Sequence, residues 1–85
     1  ITEPVTRIYP NPTNNILNIE ISKTGRHALE IEIFTLTGKL IYQKEYRNTH
    51  ANFVGQIDLS AYTKGVYLLK VRQADSVYVG KVVVN

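Results

Sequence analysis

Leu29-Glu30-Ile31-Glu32-Ile33-Phe34-Thr35-Leu36-Thr37-Gly38-Lys39-Leu40-Ile41 is the stretch that decides the fold. Leu29, Ile31 and Ile33 alternate with Glu30 and Glu32. A strand turns successive side chains to opposite faces, so this run offers an apolar face to a core and an acidic face to water. Thr35 to Gly38 has the length of a type I turn closed by a G1 bulge, which predicts Gly38 at positive φ. Lys39 to Tyr46 then reads as the returning strand of a hairpin. Its Tyr42 and Tyr46 lie four apart and therefore on one face.

Working outward, the same period of two recurs. Leu17, Ile19 and Ile21 alternate with Asn18 and Glu20, as a half-buried antiparallel strand would. Before it, Val5 to Tyr9 is a short first strand, ended by Pro10 and Pro12, which have no N–H for a ladder. Asn14-Asn15 supplies turn chemistry. Ser22 to His27, with Gly25, reads as a polar loop, and so does Arg47 to Asn52. Phe53 to Leu59 is a weaker strand interrupted by Gly55. Asp58 to Tyr62 reads as one short helical turn with Asp58 or Ser60 as its cap. Thr63-Lys64-Gly65 is a tight turn with Gly65 at positive φ. Val66 to Arg72 reads as buried on both faces around Tyr67 to Leu69. Gln73 to Ser76 turns the chain into a last strand, Val77 to Val84.

About seven strands at spacings of roughly 8–12 residues, with no amphipathic helix, predict an all-β, antiparallel, immunoglobulin-like β-sandwich. Leu29, Ile31, Ile33, Leu36, Leu59, Tyr67, Leu69 and Val71 are the expected heart of its core.

Composition narrows the function. Eighty-five residues make one small domain, and 44% apolar residues suit a packed core. There is no cysteine, hence no disulfide and no thiolate metal site. There is no methionine either, so the chain reads as a piece of a longer protein. No apolar run approaches the ~18–20 residues of a membrane span. The net charge of +3 is spread over scattered bases, among which Glu20, Glu30, Glu32 and Glu45 are interspersed. That pattern contains no basic stripe and no nucleic-acid reading motif.

Candidate chemistry is sparse. His27 and His50 fall in loops without carboxylate or cysteine at ligand spacing, as surface histidines do. Ser60 or Ser76 could be grouped with a histidine and Asp58 or Asp75, but neither serine sits in a nucleophile elbow. Two aspartates are too few for a calcium loop, and turn and cap roles account for them. Six tyrosines raise the possibility of sugar stacking. Their spread over nearly every strand, without tryptophan, suits half-buried rings with wet hydroxyls better. Asn11-Pro12-Thr13 is barred from N-glycosylation by its proline. No catalytic, metal or cofactor site is expected.

Four signals follow in order: Tyr9-Pro10-Asn11-Pro12, Gly38-Lys39 in a hairpin, Ile57-Asp58-Leu59-Ser60 before Gly65-Val66-Tyr67-Leu68, and Lys81-Val82-Val83-Val84. In this order and spacing the chain resembles the type A C-terminal sorting domain of the type IX secretion system of Bacteroidetes. It departs from the family in lacking a proline before Gly65, where Tyr62-Thr63-Lys64 stands. It also ends on Asn85, where Lys or Arg is common.

The resemblance implies a non-catalytic signal at residues 5–85, with 1–4 as the end of a linker from a cargo domain. It implies folding in the periplasm, recognition by the outer-membrane translocon, and removal by a sortase-like peptidase near or upstream of residues 1–4. The cargo would end at the cell surface or secreted, and the domain alone would be monomeric. Recognition would rest on Tyr9, Pro10, Asn11, Pro12, Gly38, Lys39, Gly65, Tyr67, Lys81, Val82, Val83, Val84 and Asn85. The last strand is expected to offer an exposed sheet edge that a receptor could extend, with the Asn85 carboxylate at its end and Lys81 adding a charged contact. An adhesive or carbohydrate-binding sandwich and a passive spacer domain remain open alternatives.

Overall fold

A computed structural model describes residues 5–22, 28–47 and 52–85. The expected linker at 1–4, both histidines and Gly25 lie outside the described residues, as does most of each loop expected at 22–27 and 47–52. Ser22 and Asn52, placed in those loops by the sequence, belong to strands.

Seven strands run in order: β1 Val5–Tyr9, β2 Ile16–Ser22, β3 Leu29–Thr35, β4 Leu40–Tyr46, β5 Asn52–Asp58, β6 Gly65–Gln73 and β7 Ser76–Val84. They form two antiparallel sheets, β1-β2-β5 and β4-β3-β6-β7, and no helix occurs among the described residues. The chain crosses between the sheets after β2, after β4 and after β5, an arrangement consistent with a sandwich.

Period-two patterning explains the packing. Leu17, Ile19 and Ile21 on β2 meet Leu29, Ile31 and Ile33 on β3, all six at most 1% exposed. Ile57, Leu59, Tyr67, Leu69, Val71, Val82 and Val84 complete the core. Leu36, expected there, is 62% exposed. It sits in the turn beyond the end of β3, where alternation no longer aims a side chain inward. β6 is buried on one face only: Tyr67, Leu69 and Val71 are inside, while Val66 and Leu68 are half-buried. Its apolar outer face reflects position at the middle of a sheet rather than a second covering layer.

The turns follow the local chemistry. The Gly38 N–H donates to the Thr35 carbonyl (2.9 Å) and the Thr35 N–H to the Lys39 carbonyl (2.8 Å), the two bonds of a type I turn with a G1 bulge. Gly38 stands at φ 96° and Gly65 at φ 153°, as expected. A second bulge carries no signal in the sequence: Ile33 faces Tyr42 and Phe34 faces Leu40, leaving Ile41 as an extra residue on β4. Asp58 caps a single turn, its Oδ1 accepting from the Ser60 N–H (2.9 Å), with the Tyr62 N–H donating to the Leu59 carbonyl (3.1 Å). The Ser60 hydroxyl, and then the Ser60 N–H, hold the Asp58 carboxyl below its usual range.

Candidate functional site

The first and last sequence signals meet. After β1, the chain leaves the three-stranded sheet at Tyr9-Pro10 and crosses to the outer edge of β7 in the other sheet. Both Tyr9-Pro10 and Asn11-Pro12 bonds are cis. There the Asn11 side-chain amide imitates a strand: its Nδ2 donates to the Lys81 carbonyl (2.7 Å), and its Oδ1 accepts from the Val83 N–H (2.9 Å). The backbone continues the pairing. The Thr13 N–H donates to the Val83 carbonyl (2.8 Å), and the Asn85 N–H donates to the Thr13 carbonyl (2.9 Å), a parallel bridge.

Proline explains why a side chain does this work. Pro10 and Pro12 flank Asn11 and carry no N–H, so the backbone around it is short of donors. A carboxamide has one acceptor and two donors and can replace a peptide unit in a ladder. Thr13 then turns inward at 1% exposure, its Oγ1 donating to the Ile16 carbonyl (2.7 Å).

Tyr9 faces the other sheet. Its hydroxyl donates to the Glu20 carboxylate, its carbonyl accepts from Asn18 Nδ2 (3.1 Å), and the Arg7 guanidinium lies 5.8 Å from the ring centre. The bond to Glu20 is the main reason its phenol is held above the usual tyrosine range. Tyr9-Pro10-Asn11-Pro12 thus fastens the first strand to both sheets at one corner.

The remaining signal residues share that pole. Gly65 pairs with Val84 and Tyr67 with Val82, so both lie directly beside the terminal strand. Thr35 pairs with Tyr67, which brings the Gly38-Lys39 turn to the same end, with β6 between it and β7. Tyr67 is 8% exposed and its hydroxyl bonds the Thr63 carbonyl, so it anchors the Gly65 turn from inside. Val82 and Val84 point into the core, whereas Lys81 and Val83 face outward.

The edge of β7 from the Lys81 carbonyl to the Asn85 N–H, expected to be exposed, is not open for a receptor to extend, because Asn11 and Thr13 already use its outward backbone groups. Thr13 and Glu20 were missed as partners of the signal residues. Nothing in the local pattern marks either one.

The tyrosines are engaged within the fold. Tyr46 packs against Phe53 with ring centres 4.6 Å apart, and Tyr62 lies 6.4 Å from Tyr67 and bonds the Ile41 carbonyl (3.2 Å). Burial, with Tyr46 beside it, pushes the Tyr42 phenol up to about 12. Among the described residues no group of three or more His, Cys, Asp or Glu could hold a metal ion, and no helix is long and apolar enough to cross a membrane.

Residues 7–85 match the secretion system C-terminal sorting domain family. The chain belongs to that family. No curated protein matches it. Sorting domains of this type IX secretion family, found in Bacteroidetes, are generally non-catalytic, and membership implies export toward the cell surface or secretion.

Proposed function

We propose that this domain is a non-catalytic sorting signal that carries an attached cargo protein through the outer-membrane translocon of the type IX system. The cargo crosses the periplasm with the domain folded. A sortase-like peptidase at the cell surface then cuts at or upstream of residues 1–4. The partners are proteins, and the reading requires no cofactor, metal or nucleic acid.

The observation that carries this reading is the family match over residues 7–85. The corner where Asn11 bonds Lys81 and Val83 supports it, since it joins the signals from both chain ends into one surface. Tyr9, Pro10, Asn11 and Pro12 form one side of the proposed recognition surface, and Lys81 to Asn85 the other. Gly38, Lys39, Gly65 and Tyr67 hold the same pole in shape.

Fusion of the domain to a periplasmic reporter in a secreting host tests the reading. Three versions are compared: intact, lacking Lys81 to Asn85, and extended past Asn85 by a folded tag. The intact fusion should reach the surface. The tagged one should stay folded and protease-resistant in the periplasm. Equal export of tagged and intact versions would remove the free C-terminal end from the signal, and export of the truncated one would end the sorting role of the last strand.

A further inference from the structure

Among the described residues, the edge of β7 is only half covered. Lys81 and Val83 turn their carbonyls, and Val83 its N–H, away from β6 toward Asn11 and Thr13. A residue's N–H and C=O share one side of a strand, and that side alternates from residue to residue. The pairing of β7 with β6 runs without a shift from Ser76 to Val84. Val77 and Val79, spaced by two from Lys81, therefore also turn their N–H and C=O outward, and so does the Lys81 N–H. No strand of the described residues pairs with that side of β7. The Val77 and Val79 side chains are 54% and 58% exposed.

Beside this half-edge, β1 has swung away to the other sheet. The opening leaves a small cleft lined by Thr6, Ile21, Val71, Gln73, Ser76 and Tyr78. The cleft and the outward backbone groups, unpaired among the described residues, form one strip, which ends where Asn11 begins. Asn11 to Thr13 demonstrate that this same strand accepts an added segment along its outer side.

We infer that the outer edge of Val77 to Lys81 is a docking strip for an extended polypeptide strand of the export machinery. The strand pairs by backbone hydrogen bonds, places small apolar side chains toward the cleft, and abuts Asn11. This rests on the sorting function proposed above and names a contact for it other than the C-terminal end. β-Augmentation draws affinity from the main chain and selectivity from alternate side chains. A valine-rich edge with one small cleft thus selects a strand with small residues on its inner face.

Val79→Pro is the discriminating variant. It removes an outward N–H that plays no part in pairing with β6, at an edge position where proline is tolerated. Val79→Thr keeps both backbone groups. In the reporter fusion, Val79→Pro should remain cooperatively folded yet lose about tenfold in export, the factor that losing one or two backbone bonds of a docked strand implies. Val79→Thr should match the parent. A folded Val79→Pro exported like the parent overturns the strip while leaving the sorting function intact. Parent retained in the periplasm overturns both.

Hydrogen exchange on the unmodified domain serves if Val79→Pro fails to fold. The Val77 and Val79 amides should slow about tenfold on adding solubilised outer membrane of the secreting host, for the same reason. Unchanged rates overturn the proposal. Sedimentation showing a dimer that Val79→Pro dissociates would give the strip to a second copy of this chain and overturn the assignment as well.

Discussion

The four-stranded sheet ends on one side in β4, with exposed Gln43, Lys44 and Glu45 and a bulge at Ile41. On the other side it ends in β7, whose outward residues are Val77, Val79, Lys81 and Val83. Charge and irregular register are standard protection against unwanted strand pairing, and β4 carries both in its own sequence. β7 is regular and nearly uncharged. Its cover comes from Asn11 and Thr13, some seventy residues earlier in the chain. Protection built into a strand is permanent, whereas protection by a separate segment can be withdrawn.

Four substitutions break or sharpen that contrast. The largest effect is expected from Ile31→Ala. Ile31 is 1% exposed on β3, between Lys44 of β4 and Val71 of β6. Loss of its buried side chain should cost ~2–5 kcal/mol, out of a total stability of ~5–15 kcal/mol for a domain. A urea midpoint that fails to fall would show that β3 does not carry the core.

Asn11→Ala should separate the two edges. It removes both side-chain bonds to β7 and should cost ~1–3 kcal/mol. Amide exchange at Val83 and Asn85 should quicken while β4 amides keep their protection. Uniform quickening along both strands would mean that the two edges are not independently guarded.

Gly38→Val is the mirror experiment. At φ 96° a β-branched residue is strained, at a cost of ~1–2 kcal/mol. Exchange should now quicken in β4 and spare β7. Loss of protection at Val83 would tie the hairpin to the far edge.

The smallest effect belongs to Asp58→Asn, at the cap of the turn after β5. The Asp58 carboxyl titrates below its usual value in the folded domain. Its stabilisation is therefore complete above the unfolded aspartate pKa of about 3.9, and it is lost as pH falls through the lower folded value. Parent and variant should differ at pH 7 and converge in acid. A stability difference independent of pH would assign the effect to packing instead.

Strand positions were legible because alternation is local. Leu17 to Ile21 and Leu29 to Ile33 each declare a buried face within a few residues. Gly38 and Gly65 were legible for the same reason, since each turn is fixed by its own loop. The clamp was not. Tyr9-Pro10-Asn11-Pro12 reads as a strand terminator, and nothing near it indicates that Asn11 will reach β7. Leu36 failed differently: its hydrophobicity suggested the core, but its place at the turn decided against it. The Ile41 bulge also left no trace, because one extra residue does not disturb the apolar pattern of Leu40-Ile41-Tyr42.

The Asn11 clamp also sets an order of events. Its partners lie 70 and 72 residues further along the chain. Every strand up to β6 can be in place while the clamp is still open, because the amide has nothing to grip before Lys81 and Val83 arrive. Closure therefore waits for β7, and a product that stops before Lys81 carries Tyr9-Pro10-Asn11-Pro12 without ever assembling the corner it belongs to.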